Sequence, residues 1–133
     1  MANGGFNGTR EEWTRLENPL IEIDQVLEDF AKKYSLKLTK NHKGWPERSI
    51  TWGNNPKHLI QLFLVNEEHL TFNLWLCVSS DRGKKRYWKQ ENLVYDKSLN
   101  EFKANLPELL ERGYEKLNSW KKSELEFYTE LQG

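Results

Sequence analysis

A thiol and an imidazole brought together form a nucleophile–base pair, so Cys77 and His58 are the first residues to weigh. They fall on consecutive apolar runs separated by Glu67-Glu68. A two-residue turn there would set Val65 opposite Leu70 and Phe63 opposite Phe72 on one face, which is expected to be core. Leu62 would then oppose Asn73, Ile60 would oppose Trp75, and His58 would oppose Cys77 on the other. That register gathers His58, Asn73, Trp75 and Cys77 on an apolar wall formed by Ile60, Leu62 and Leu64, which is the composition of a small-ligand pocket. Two plainer readings compete with it. A lone strand cysteine commonly behaves as an inert small hydrophobe. The face could also be filled by Leu110, Tyr114 and Leu117 of a C-terminal helix, or by a second copy of the chain.

The second chemistry is cationic. Arg82, Lys84, Lys85, Arg86 and Lys89 crowd a hairpin with Tyr87 and Trp88 between them, a mixture suited to phosphates and to stacking on bases. The same lysines would serve equally to keep an exposed edge strand from pairing with other sheets. Trp75, Tyr87 and Trp88 are also the residue types that anchor protein interfaces, and they are the candidate partner-binding residues; Trp45, Trp52, Trp75 and Trp88 could instead fill a core poor in branched residues. The histidines His42, His58 and His69 show neither HxH nor i,i+4 spacing, so no local metal site is expected, and no cofactor motif occurs. No GxSxG, GxxxxGK[ST] or GxGxxG is present, and the E-x-K at Glu101-Phe102-Lys103 falls in a helix start. No catalytic residue is assigned.

The elements that must carry these side chains can be read from period and punctuation. Thr9 to Glu12 form a capping box for a short helix over residues 10–17, and Asn18 with Pro19 opens a second helix whose Ile23, Val26, Leu27, Phe30, Ala31 and Tyr34 share one face. From residue 36 the period changes to two. Strands are expected near 36–39, 48–52, 58–65, 69–80 and 85–95, with turns at Gly53-Asn54-Asn55-Pro56 and Asp81-Arg82-Gly83, where Gly83 can take a left-handed conformation. Ser98 to Glu101 form another capping box, Pro107 starts a longer helix, and 123–131 is expected to be helical. The result is an α+β fold, an antiparallel meander of about five strands over roughly 36–95, with N-terminal and C-terminal helices packed on one face.

Length and composition set the outer bounds. With 133 residues, the chain is expected to be a single domain, 1–133, with 1–8 as a glycine- and asparagine-rich arm. It has 20 basic and 20 acidic residues, but the neutral total conceals segregation: −5 over residues 1–31, +7 over 32–97 and −2 over 98–133. One cysteine permits no intrachain disulfide, no apolar stretch is long enough for a span, and the N-terminus lacks a secretory pattern. A cytoplasmic, non-enzymatic domain follows as the expectation. It would bind a protein partner or itself, away from membranes, in the manner of small adaptor, chaperone-like or immunity-like scaffolds. Nucleic-acid binding by the basic strand region and a sheet-borne ligand pocket are the alternatives.

Overall fold

The computed structural model describes residues 10–41, 45–83, 85–121 and 125–130. The expected arm over 1–8, the Thr9 cap, His42 and Lys84 lie outside them. The fold is an antiparallel sheet with an N-terminal and a C-terminal helix, the α+β arrangement read from the sequence.

Helix α1 runs without a break from Arg10 to Lys33, although Pro19 lies inside it. The local signals at Asn18 and Pro19 predict two helices instead. The apolar stripe explains the difference, because Leu16, Leu20, Ile23, Leu27 and Phe30 recur every three or four residues and all are buried. Docking this stripe on the sheet offsets the roughly 3 kcal/mol that an interior proline costs. The helix ends in a left-handed Ser35 (φ 55°), with the Leu36 amide donating to the Ala31 carbonyl at 2.7 Å in a Schellman-type close.

Strands β1 (Lys37–Asn41), β2 (Glu47–Trp52), β3 (Lys57–Asn66), β4 (Thr71–Arg82) and β5 (Lys85–Ser98) form a meander in chain order. Helix α2 (Leu99–Phe102), a 3-10 turn over Lys103–Asn105 and helix α3 (Leu106–Ser119) follow, and α3 carries Pro107 in its first turn as expected. The last segment corrects the sequence reading. Glu126–Glu130 is not helical but forms a sixth strand, β6, paired antiparallel to β5 from Lys85 to Trp88. Pairing beside an existing strand satisfies its backbone where five residues of helix would be too short to be stable.

The register of β3 and β4 is a second correction. The chain reverses through residues 67–70, not through a two-residue turn, with the Asn66 Oδ1 accepting the amides of Glu68 and His69, each at 2.9 Å, and Leu70 left-handed at φ 53°. The pairing therefore slips by one residue. Leu64 meets Phe72, Leu62 meets Leu74, Ile60 meets Leu76 and His58 meets Val78. A one-residue slip moves side chains to the opposite face, so Phe63 and Val65, expected with Phe72 in the core, lie on the other side, and Ile60, Leu62 and Leu64 take their place.

Both long helices pack on the face made by Ile50, Ile60, Leu62, Leu64, Phe72, Leu74, Leu76 and Val78. Their approach is close at Gly113 of α3, where a Cβ would stand 2.9 Å from Leu76 Cδ2 and 3.2 Å from Leu93 Cδ1. Arg48 points into this layer with only 1% exposure; its Nε donates to Asp24 Oδ1 at 2.8 Å and its Nη2 to Glu17 Oε2 at 3.1 Å. This paired cation ties β2 to α1. A buried charge is tolerated only when paired in this way.

Candidate functional site

The second face of the sheet carries no helix among the described residues. Strand alternation places Lys57, Leu59, Gln61, Phe63 and Val65 of β3 there, with Asn73, Trp75, Cys77, Ser79 and Asp81 of β4 and Arg86, Trp88, Gln90 and Asn92 of β5. Trp75 is paired with Gln61, so Leu59 and Phe63 are its diagonal neighbours, about 7–8 Å away by sheet geometry. Its indole Nε1 donates to Gln90 Oε1 at 2.8 Å, which holds the ring across β5. Trp75 and Phe63 remain partly exposed, and Val65 at the end of the stripe is 39% exposed. Between Leu59 and Phe63 on β3, Gln61 Nε2 donates to Glu47 Oε2 and Ser49 Oγ at 2.7 and 3.0 Å, so the apolar side chains flank a hydrogen-bonded polar group directly opposite Trp75.

Of the expected group, Asn73, Trp75 and Cys77 share the open face, but His58 does not join them. His58 lies on the helix-covered side, its ring stacked on Trp52 at 5.1 Å with 6° between planes, while Trp75 and Cys77 occupy the other side. The register slip is the physical reason. Burial lowers the His58 pKa, and its Nδ1 has no hydrogen-bond partner. Burial also raises the Cys77 thiol to about 11, so it stays protonated near neutrality. A thiolate–imidazole pair therefore does not form from these two residues. Asn73 instead supports the backbone, its Oδ1 accepting the Asp96 amide at 2.7 Å near the irregularity where β4 and β5 lose their simple pairing. Asp96 is left-handed there, at φ 53°.

The basic hairpin is divided between the faces. Arg86 and Trp88 fall on the open side, whereas Lys85, Tyr87 and Lys89 fall on the helix side. Tyr87 packs against the core, and Lys89 Nζ lies 5.0 Å from the centre of the Trp120 ring. The backbone of Arg82 pairs with Lys85 at the hairpin end, and Gly83 takes the expected left-handed conformation at φ 65°. Edge protection no longer explains these cations, because β6 covers the β5 edge from Lys85 to Trp88. Of Trp45, Trp52, Trp75 and Trp88, the first two pack against the core as expected of core filling, whereas Trp75 makes a hydrogen bond across to β5.

Sequence reasoning missed Lys57, Leu59, Phe63 and Ser79 as companions of Trp75 and Trp88. The alternation of β4 was the available signal, since Phe72, Leu74, Leu76 and Val78 form an unbroken apolar row. Among the described residues no group of three His, Cys, Asp or Glu side chains is placed to hold a metal ion, and no helix is long and apolar enough to cross a membrane.

No protein-family model matches this chain, and neither a curated protein nor a solved structure does.

Proposed function

We propose that this chain is a non-enzymatic binding domain that receives a protein partner on the helix-free face of its sheet. The observation that carries this reading is the apolar stripe of Leu59, Phe63 and Trp75, left partly open to solvent on the side opposite both long helices. A partly exposed tryptophan with apolar diagonal neighbours is the residue type that commonly anchors a protein interface. Tyr87 has no part in it, because its side chain packs on the core side. A cytoplasmic setting fits a single, buried, protonated cysteine.

The test is affinity capture by the tagged full chain from lysate of its source cell, with nuclease treatment, comparing wild type with Trp75→Ala and with Tyr95→Ala. Tyr95 is 66% exposed and lies outside the stripe, so it controls for general loss of an aromatic surface. Wild type and Tyr95→Ala are expected to retain the same stoichiometric protein, and Trp75→Ala to lose at least about tenfold in affinity, or 1.4 kcal/mol. Equal retention by all three, with Trp75→Ala still unfolding cooperatively, would overturn the proposal. Sedimentation velocity on the same proteins separates a foreign partner from self-association through this face.

A further inference from the structure

At one end of the open face, the register lines up Lys57 of β3, Ser79 of β4 and Trp88 of β5 in one row across the sheet. Adjacent strands lie about 4.8 Å apart, which sets Lys57 and Trp88 roughly 10 Å from each other with a strand between them. The residues of that middle strand are small, Ser79 in the row and Cys77 in the next. Large side chains on β3 and β5 above a small-residue floor on β4 make a trough. Its volume is about 490 Å³, and Asn54, Asp81 and Arg86 complete its lining. Cavities of roughly 300–1,000 Å³ are the size that holds small ligands.

The end of the trough is built, not incidental. Asn55 pins the β2–β3 turn onto β4, its Nδ2 donating to the Asp81 carbonyl at 3.0 Å and its Oδ1 accepting the Asp81 amide at 3.1 Å and the Ser80 hydroxyl. That clamp brings Asn54 to the rim. The charge is positive: Lys57 and Arg86 against Asp81 alone. Arg86 meets Asp81 only at 3.6 Å, with both side chains about half exposed, so its remaining N–H groups stay available to an anion. No carboxylate of the described residues lies within ion-pair distance of Lys57. The strand region around it carries the net +7 of residues 32–97, which raises the local concentration of anions.

We propose that this trough binds a nucleotide, with the base against the Trp88 indole and the phosphate between Lys57 and Arg86. Stacking on an aromatic side chain is tolerant of base identity, and the two cations supply charge-assisted hydrogen bonds to phosphate oxygens. Ser79 and Asn54 offer donors and acceptors to the sugar, and the Asp81 carboxylate accepts from a sugar hydroxyl or a base N–H. The shared chemistry is a base with a phosphate, whether as a free mononucleotide or as a unit of a single strand.

The experiment is an amide and indole NMR titration of the full chain, at low salt, with adenosine 5′-monophosphate, adenosine and inorganic phosphate as separate probes. The monophosphate is expected to saturate with a dissociation constant of about 1 mM or below, shifting Lys57, Ser79, Arg86 and the Trp88 indole. Adenosine and phosphate alone are expected to bind at least about tenfold more weakly, and Lys57→Gln to weaken the monophosphate at least about threefold. A single-stranded adenine pentanucleotide that binds at least about tenfold more tightly assigns the site to nucleic acid, and one that binds no more tightly assigns it to free nucleotide. Absence of saturable shifts in this row would overturn the proposal, as would inorganic phosphate binding as strongly as the monophosphate. The titration contains no protein partner, so its failure is distinct from failure of partner capture.

Discussion

The two faces of the sheet are built from the same strands, yet one is sealed and the other open. Along β4 the residues Phe72, Leu74, Leu76 and Val78 are fully buried, while Trp75 and Ser79, each one residue away, keep contact with solvent. Strand propensity does not distinguish these sets, since tryptophan is as much at home in a strand as leucine. What separates them is whether α1 and α3 lie over them. A sheet needs only one buried face to be stable, and the second is then free to keep a composition that stability alone would not require.

Substitutions on the two faces should break in different ways. The largest effect is expected from Arg48→Ala on the sealed side, which leaves the Glu17 and Asp24 carboxylates without their buried cation and should cost about 3–5 kcal/mol in urea unfolding. Leu74→Ala against Trp75→Ala is the sharpest form of the comparison. Loss of the fully buried Leu74 side chain should cost roughly 2–5 kcal/mol, whereas Trp75→Ala should cost less because its site is solvated and can relax. Equal losses would mean that the second face is core after all. Gly113→Ala probes the helix–sheet contact itself: helix propensity favours alanine, but the new methyl meets Leu76 and Leu93, and a net loss of about 1–3 kcal/mol is expected in the same assay.

The titratable groups give the smaller effects. His58 sits on the sealed side with its pKa held below the ordinary 6.5 by burial. Above that value the folded and unfolded chains both carry a neutral imidazole. As the pH falls, the unfolded chain takes up the proton first, so stability declines from about pH 6.5 down to the lowered native pKa. His58→Gln should flatten that decline, which paired urea midpoints at about pH 7.5 and 5.5 would show. Cys77, on the other face but packed among its strand neighbours, should react slowly with a thiol reagent. With a pKa of about 11 against an ordinary 9.0, its thiolate fraction near pH 8 is about a hundredfold below that of the unfolded chain. Fast labelling of the native protein would show that the open face is looser than its geometry implies.

The ambiguity of β3 explains what was hardest to read. Its run of Leu59, Ile60, Leu62, Phe63, Leu64 and Val65 is apolar on both sides, so alternation does not say which set faces inward. The decision passes to the turn, and the Asn66 side chain, capping two amides in a four-residue reversal, shifts every β3–β4 pair by one. The pocket expected around His58 and Cys77 depended on that pairing and went with it. The sixth strand had a local signal, since Phe127, Tyr128 and Thr129 are strand-favouring types, but the β5 edge that gives the segment its partner comes from tertiary structure.

From sequence alone came what depends on local chemistry and short-range period: the apolar stripes of α1 and α3, the Ser98–Glu101 capping box, the Gly83 turn, and the meander that short turns impose. The open side of the sheet, the placement of Trp75 beside Leu59 and Phe63, the row of Lys57, Ser79 and Trp88, and the burial of Arg48 between two carboxylates were decided by tertiary structure. Each of these joins residues distant in sequence. Their geometry follows from strand register and helix docking, where a one-residue slip exchanges the faces and no local propensity can choose between them.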